Sequence, residues 1–454
     1  MLVVGGGLAG LVCASALAGH GHPVTVLESK GRFGGRATSW QDPVLGLTLD
    51  NGPHLVAGAY EELGHHARRV GLQGLTARAE ARPVVLRDVE GRRTARLGGA
   101  PGRLGLAGEW IRYDVLSWPA RLRLLRVLIA AAGGVHPDVS LAAWLQTHGQ
   151  DAEARRWLWE PMVRAICNDR PEHVSANLFA GVVERLFLRG ADAFQLAYPV
   201  PSLAESLVAP SLRFLVAREA RLETGLRVVR VETSDAGFTA VVEGGARWPA
   251  DLVCLAVPAR AATALLGEHA GVVSPLLPRA ARIAHTPLVS VAVWLHPGGE
   301  PAGGGAPWTH DFFGLVDAPF AWVFDRRRLV PESAATEAVV LVAPGDEALA
   351  ARPSAEIAEE AVRLLGRLGV RAGPDRRRGL RVVKEMHAAP RLDARAARER
   401  PAARTHWPGL ALAGDWTDTG LPATLEGAAQ SGHQAARTLL EAAEAGAWYR
   451  RRTH

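Results

Sequence analysis

The sequence predicts an α/β protein in which a parallel, nucleotide-type sheet is assembled from separated stretches of chain, with a mixed α+β unit between them. Three observations predict it. A glycine turn, Gly5-x-Gly7-x-x-Gly10, lies between a Val-rich strand and an apolar helix. An acid, Glu28, ends the next strand 18 residues after Gly10. A second strand-loop-helix block, Leu412 to Ala428, lies near the other end of the chain.

Met1 to Val4 reads as a short buried strand, Leu8 to about Ala18 as a helix, and His22 to Glu28 as a second strand rich in Val and Leu. A βαβ start of this kind implies a parallel sheet. The first strand is very short, so either the sheet begins abruptly or the coding start lies slightly upstream. In the turn, Gly5 permits the tight bend, Gly7 lets the backbone approach a pyrophosphate, and Gly10 lets the helix pack on the strand. The N–H groups of Leu8 and Ala9 open the helix, where the dipole favours a diphosphate. The Glu28 carboxylate suits both ribose hydroxyls of an adenosine and repels a 2′-phosphate.

These features leave NAD and FAD open, and two further segments favour FAD. Gly31-Arg32-Phe33-Gly34-Gly35-Arg36 follows the acid. Gly34 and Gly35 let a loop pass close to a ribityl–phosphate chain, and Arg36 offers the phosphates a planar donor. Gly414 and Asp415 end the late strand, and Asp415 is suited to accept from ribitol or ribose hydroxyls. The helix that follows begins at Thr424 and Leu425. Its N-terminus is placed to face the flavin pyrimidine edge, where negative charge grows on reduction.

Between these blocks, residues 80–100 alternate as strands of a small sheet. Trp110 to about Ala191 is helical, with Pro119 in a first turn after Ser117. Residues 225–257 form a β-meander turning at Asp235 and Glu243, and its last strand returns to the main sheet. Residues 281–345 supply strands broken by a glycine-rich loop at 297–306, and Ser354 to Leu368 is a helix. The nucleotide-binding domain is read as 1–75, 205–265 and 385–445, and the substrate domain as 76–204 and 266–384.

The 454 residues carry a formal charge of +6, and all but two of the 52 basic residues are arginine. The arginines are dispersed and no DNA- or RNA-binding motif is present, so no nucleic-acid partner is expected. Cys13, Cys167 and Cys254 lie far apart in sequence and read as buried thiols of a reducing cytosol. No apolar run reaches the roughly 18 residues of a spanning helix, and the chain opens inside its first motif. A cytoplasmic protein, at most peripheral on the inner membrane, is expected. Trp110 to Ala132 combines Trp, Arg and a leucine-rich face, a composition that suits an interfacial helix, a lid over a lipid-sized tunnel or an ordinary amphipathic helix on a core.

The stretches GGGLAGL, LE, GRFGGR and LAGDWTDTGLPATLEGAAQSG resemble the two flavin signatures of the amine oxidase, phytoene desaturase and protoporphyrinogen oxidase superfamily. Within it, LDNGPHLVAGAY (49–60), LSWPARLRLL (116–125) and RWLWEPM (156–162) are most similar to the hydroxysqualene dehydroxylase family. The resemblance implies an FAD-binding, Rossmann-like domain with a discontinuous substrate domain. It also implies a backbone contact to adenine from the strand at Leu226, an isoprenoid lipid substrate and squalene-pathway enzymes as partners. The implied reaction is reductive: hydride passes from reduced FAD to an allylic carbon as the hydroxyl leaves as water, in a dry pocket that protects the carbocation. A carotenoid-type desaturase would run the hydride the other way, an amine or porphyrinogen oxidase would use oxygen, and a lipid-channelling subunit would do neither.

Two residues are candidates for catalysis. His54, beside the expected flavin ring, is suited to protonate the departing hydroxyl or to hydrogen-bond the flavin. Asp418 is a proton donor if buried. Tyr60 reads as packing around the cavity, and Glu426 as a capping or pairing residue. No metal spacing is present, and His65 and His66 read as two exposed helix residues.

Overall fold

The computed structural model describes residues 1–446 apart from 45, 47, 73–82, 99–107, 135–137, 189–192, 194, 235–236, 297–309 and 330–337. The glycine-rich loop at 297–306, the turn at Asp235 and parts of the 80–100 and 110–191 stretches therefore lie outside the described residues. Among those described, no helix is long and apolar enough to cross a membrane.

The parallel sheet has five strands: β1 (Leu2–Val4), β2 (Thr25–Leu27), β3 (Arg221–Glu223), β4 (Val253–Leu255) and β5 (Leu410–Leu412). Their order is β5-β4-β1-β2-β3, every pairing is parallel, and Leu2 faces both Val253 and Thr25. Each strand is three residues long, so the brevity of β1 is a property of the whole sheet. The expected helix forms as α1 (Leu8–Gly19) and packs against the C-terminal helix. The meander folds as an antiparallel sheet of Val228–Ser234, Gly237–Val242 and Arg247–Ala250, and the chain then enters β4. Cys13 on α1 and Cys254 on β4, distant in sequence, meet in the core as free thiols; their hydrogen bond and burial push the Cys13 pKa up.

A seven-stranded mixed sheet forms the second body. Its order is Arg377–Pro390, His285–Leu295, Ala338–Pro344, Trp322–Asp325, Phe312–Leu315, Val84–Arg87 and Thr94–Leu97. The strands expected as a small sheet at 80–100 are thus one edge of this large one, because Val84–Arg87 pairs in parallel with Phe312–Leu315. Both faces are covered, which is why Ala338–Pro344 is apolar throughout. Val340 and Val342 face a helical layer, while Val339 and Leu341 face the helix Ser354–Arg367. The helical layer runs from Trp118 to Leu188 and contains π-helical turns at Arg155–Trp159 and Glu184–Leu188. Ser117 caps its first helix, as expected, accepting from Ala120 N–H with Pro119 in the first turn.

Candidate functional site

One cavity of about 980 Å³ lies between the two bodies, at the upper end of the roughly 300–1,000 Å³ usual for a ligand site. One end is walled by the glycine turn, Glu28, the Gly34–Arg36 loop and the Gly414–Asp415 loop. The other end is apolar, with Leu158, Met162, Leu186, Leu288, Trp322 and Phe324 among its walls. The sheet face turned toward the helical layer and the two π-helical turns supply this greasy end.

The polar end is a backbone cradle. Gly5 turns at φ +108°, a conformation that side chains resist. Gly7 caps α1 without any side-chain hydrogen bond, and the first turn, which includes Leu8 and Ala9, carries no acid. A β-carbon on Gly7 would meet nothing nearer than Gly35 Cα at 4.0 Å, whereas one on Gly35 would lie 3.1 Å from Gly7 Cα. The Gly34–Arg36 loop therefore folds back over the turn and leaves a helix N-terminus aimed at open space, which fits a diphosphate. Gly10 does not line the cavity; a β-carbon there would collide with the Gly5 carbonyl and lie 3.1 Å from Ala256 Cβ.

Glu28 is buried and serves this turn. Its Oε2 accepts from Gly6 N–H at 2.8 Å, and its Oε1 accepts from Lys30 N–H at 2.8 Å and Ser29 Oγ at 3.2 Å. Oε2 retains a second lone pair for a hydroxyl. Arg36 and Asp415, expected as separate contacts, are paired: Arg36 Nη2 donates to Asp415 Oδ1 at 2.7 Å and Nη1 to Ala388 O at 2.8 Å. The two ends of the chain are thereby clasped at the cavity wall. Leu226 lines the cavity from a loop rather than a strand, and its N–H is committed to Glu28 O at 3.0 Å. Thr424 Oγ1 caps the C-terminal helix α2 (Leu425–Glu444) by accepting from Gly427 N–H at 3.1 Å, and both Thr424 and Leu425 line the cavity.

The catalytic candidates separate. His54 lines the cavity, and burial lowers its pKa, so the ring is neutral at physiological pH. Its Nδ1 lies 2.9 Å from the Gly52 carbonyl, an acceptor only, so Nδ1 carries the proton and Nε2 is a lone-pair acceptor. In the neutral ring this geometry favours the hydrogen-bonding alternative for His54 over proton donation. Asp418 is exposed, its Oδ1 accepts from Gly420 N–H at 3.1 Å, and it does not line the cavity. The turn points its side chain outward, which removes it from the proton path.

Two residues weighed in the sequence, Tyr60 as a cavity residue and Glu426 as a capping or pairing one, and a third that carried no signal there, Arg400, complete the surroundings. Tyr60 lines the cavity, hydrogen-bonds Thr424 and has its pKa raised by burial. Glu426 caps the helix Glu61–Arg69 by accepting from Glu62 and Leu63 N–H at 2.9 Å each, and burial raises its pKa. Arg400 is buried and donates to Leu421 O at 2.7 Å, Thr419 Oγ1 at 3.1 Å and Thr417 O, fastening the loop between Asp415 and α2. No local motif surrounds Arg400, so only its partners reveal it.

His66 corrects another expectation. Neighbours on a helix point about 100° apart, so His65 is exposed while His66 is 3% exposed, with its Nε2 2.8 Å from Ser211 Oγ. Burial lowers the His66 pKa to about 3. The unfolded chain, with an ordinary histidine near 6.5, then binds the extra proton between those values. Stability is therefore expected to fall by up to about 1.4 kcal/mol per pH unit as pH drops below roughly 6.5. Denaturant titrations of wild type and His66→Asn at pH 7 and 5 measure this; equal pH slopes would count against it.

A model of the flavin containing amine oxidoreductase family matches residues 8–440. The hydroxysqualene dehydroxylase of Rhodopseudomonas palustris is 28% identical, with 98% of this chain and 99% of that protein covered. That of Sinorhizobium fredii is 30% identical, over 96% and 97%. Among solved structures, an oxidoreductase from Methanosarcina mazei shares the fold at a TM-score of 0.74 with 15% identity, covering 95% of this chain and 98% of that one. Cyclohexylamine oxidase from Brevibacterium oxydans does so at 0.66 with 18% identity, covering 98% of each chain. The chain belongs to the flavin containing amine oxidoreductase family and is an FAD-dependent oxidoreductase.

Proposed function

We propose that this oxidoreductase reduces hydroxysqualene to squalene with loss of water. The observation that carries the reading is one cavity whose walls are a nucleotide cradle at one end and apolar side chains at the other. The full-length similarity to hydroxysqualene dehydroxylases supports the choice of substrate. The five strands of the parallel sheet all fall within 1–75, 205–265 and 385–445, which we read as the unit holding FAD, with 76–204 and 266–384 holding the substrate.

Gly5, Gly7, Leu8, Ala9, Gly34 and Gly35 would form the diphosphate cradle, with Gly10 setting how closely α1 approaches. Glu28 would take an adenosine ribose hydroxyl, and the carbonyl of Leu226 the adenine. Gly414, Asp415 and Arg36 would hold the ribityl–phosphate portion, and Thr424 and Leu425 would present the N-terminus of α2. Bound there, FAD supplies the hydride in its reduced form. The chain's own contribution is positioning and dryness. The walls at Trp322, Phe324 and Leu288 exclude water from a substrate carbon that loses its hydroxyl. Tyr60, whose hydroxyl hydrogen-bonds Thr424, would donate to that leaving oxygen. His54, neutral and accepting at Nε2, orients a donor rather than giving up a proton.

Anaerobic addition of hydroxysqualene to the chemically reduced holoenzyme tests the reading. Reappearance of oxidised-flavin absorbance together with squalene is expected. No reoxidation, with bleaching of the oxidised enzyme by a polyene precursor instead, would establish a desaturase. Tyr60→Phe is expected to lower kcat about 100-fold with flavin content unchanged; an unaltered kcat would take Tyr60 out of the proton path.

A further inference from the structure

Helix Trp118–Ala132 buries Ala120, Leu124, Val127 and Ala131 against the layer beneath it. That layer includes Ala176–Val183 and Glu184–Leu188, from which Val182, Arg185 and Leu186 line the cavity. The opposite face of the helix is exposed and apolar. Trp118, Leu122, Leu125 and Ile129 are 58%, 63%, 54% and 73% exposed. Their i, i+4, i+7, i+11 spacing makes one continuous stripe. Ile111, 58% exposed, lies just upstream. Among the described residues ten large apolar side chains are exposed and five fall within 111–129, so the apolar surface is concentrated here.

Charge surrounds this stripe with one predominant sign. The helix carries Arg121, Arg123 and Arg126 and no acid, and Arg112 is exposed just upstream. The Arg121 guanidinium lies 4.6 Å over the Trp118 ring. Nearby acids include Asp151, paired with Arg123 at 2.8 Å, half-buried Glu109, which accepts from Gly98 N–H, and exposed Asp114. A helix of 15 residues spans only about 22 Å, against roughly 30 Å of hydrocarbon, and its arginines bar it from crossing. An apolar stripe flanked by arginines matches the acyl–headgroup boundary of an anionic bilayer. A second copy of the chain fits less well, because a self-pairing stripe would bring both sets of arginines together along one seam.

We infer that the exposed face of Trp118–Ala132 docks this protein onto an anionic lipid bilayer, setting the helical wall of the substrate chamber against the membrane. The inference rests on and deepens the reading of an isoprenoid lipid substrate, but its test needs no turnover and so can fail independently of that reading. Holoenzyme is sedimented with vesicles of phosphatidylglycerol and phosphatidylcholine, and with phosphatidylcholine alone. Wild type is expected to sediment with the anionic vesicles and to be released by salt. The triple variant Leu122→Glu, Leu125→Glu, Ile129→Glu is expected to bind about tenfold more weakly or worse, with flavin content and melting temperature unchanged. Arg126→Glu, milder for folding, is expected to weaken anionic binding about fivefold or more while leaving the oligomeric state as in the wild type. Equal sedimentation of wild type and both variants would overturn the inference. So would a wild type that ignores vesicles, whether as a monomer or as a dimer that the triple variant dissociates.

Discussion

Gly10→Val is expected to yield protein with less than about a tenth of the wild-type flavin content and a folding stability lower by about 3 kcal/mol. The reason is steric and local. The β-carbon alone would collide with the Gly5 carbonyl and press on Ala256 Cβ at 3.1 Å, and the valine methyl groups add to the overlap. Relief requires α1 to move away from β1. That movement opens the cradle at Gly7, whose geometry depends on the loop of Gly34 and Gly35 lying against it. Flavin-to-protein absorbance and thermal melting measure both effects. Gly366→Ala is the control, because no atom outside its own helix lies within 4 Å of the added carbon. That change is expected to be neutral or to stabilise by up to about 1 kcal/mol. A Gly10→Val protein with full flavin content would contradict the packing role of Gly10.

Arg400→Met is expected to cost about 3–5 kcal/mol of stability and to weaken flavin retention more than tenfold. Burial lowers the guanidinium pKa to about 10, which still leaves it charged at neutral pH. Its partners Leu421 O, Thr417 O and Thr419 Oγ1 span the loop from Asp415 to the cap of α2. Methionine fills the volume but leaves Leu421 O and Thr417 O in the core without the guanidinium, while Thr419 Oγ1 keeps only the Leu421 N–H at 3.3 Å. The loop then loses its hold on both Asp415 and Thr424. Arg400→Lys keeps the charge but cannot span the fork of acceptors, so partial rescue is expected. Denaturant midpoints and flavin release by dilution check this. A loss below about 1 kcal/mol would show that the loop is held by other contacts.

The sequence by itself determined the parts of this protein that obey local rules. The Gly5–Gly10 turn needs a positive φ and a close helix approach, and both are written in which residues lack a side chain. The strand-helix-strand start, the meander and the late strand-loop-helix follow from apolar runs and turn chemistry, and they stand where expected. Charged Arg377–Pro390 escaped such a reading. It is an edge strand carrying Arg381, Lys384 and Glu385, where charge guards an open sheet edge and hides the alternation. Only the tertiary structure decided which polar groups face the cavity. Asp415 and Asp418 are close in sequence, yet one is clasped by Arg36 across a separation of 379 residues and the other meets solvent. His65 and His66 divide in the same way, and Arg400 stands out from the other arginines only through its buried partners. The physical reason is that burial and hydrogen bonding depend on what a folded backbone brings near a side chain, and residue type and spacing carry no record of that neighbour.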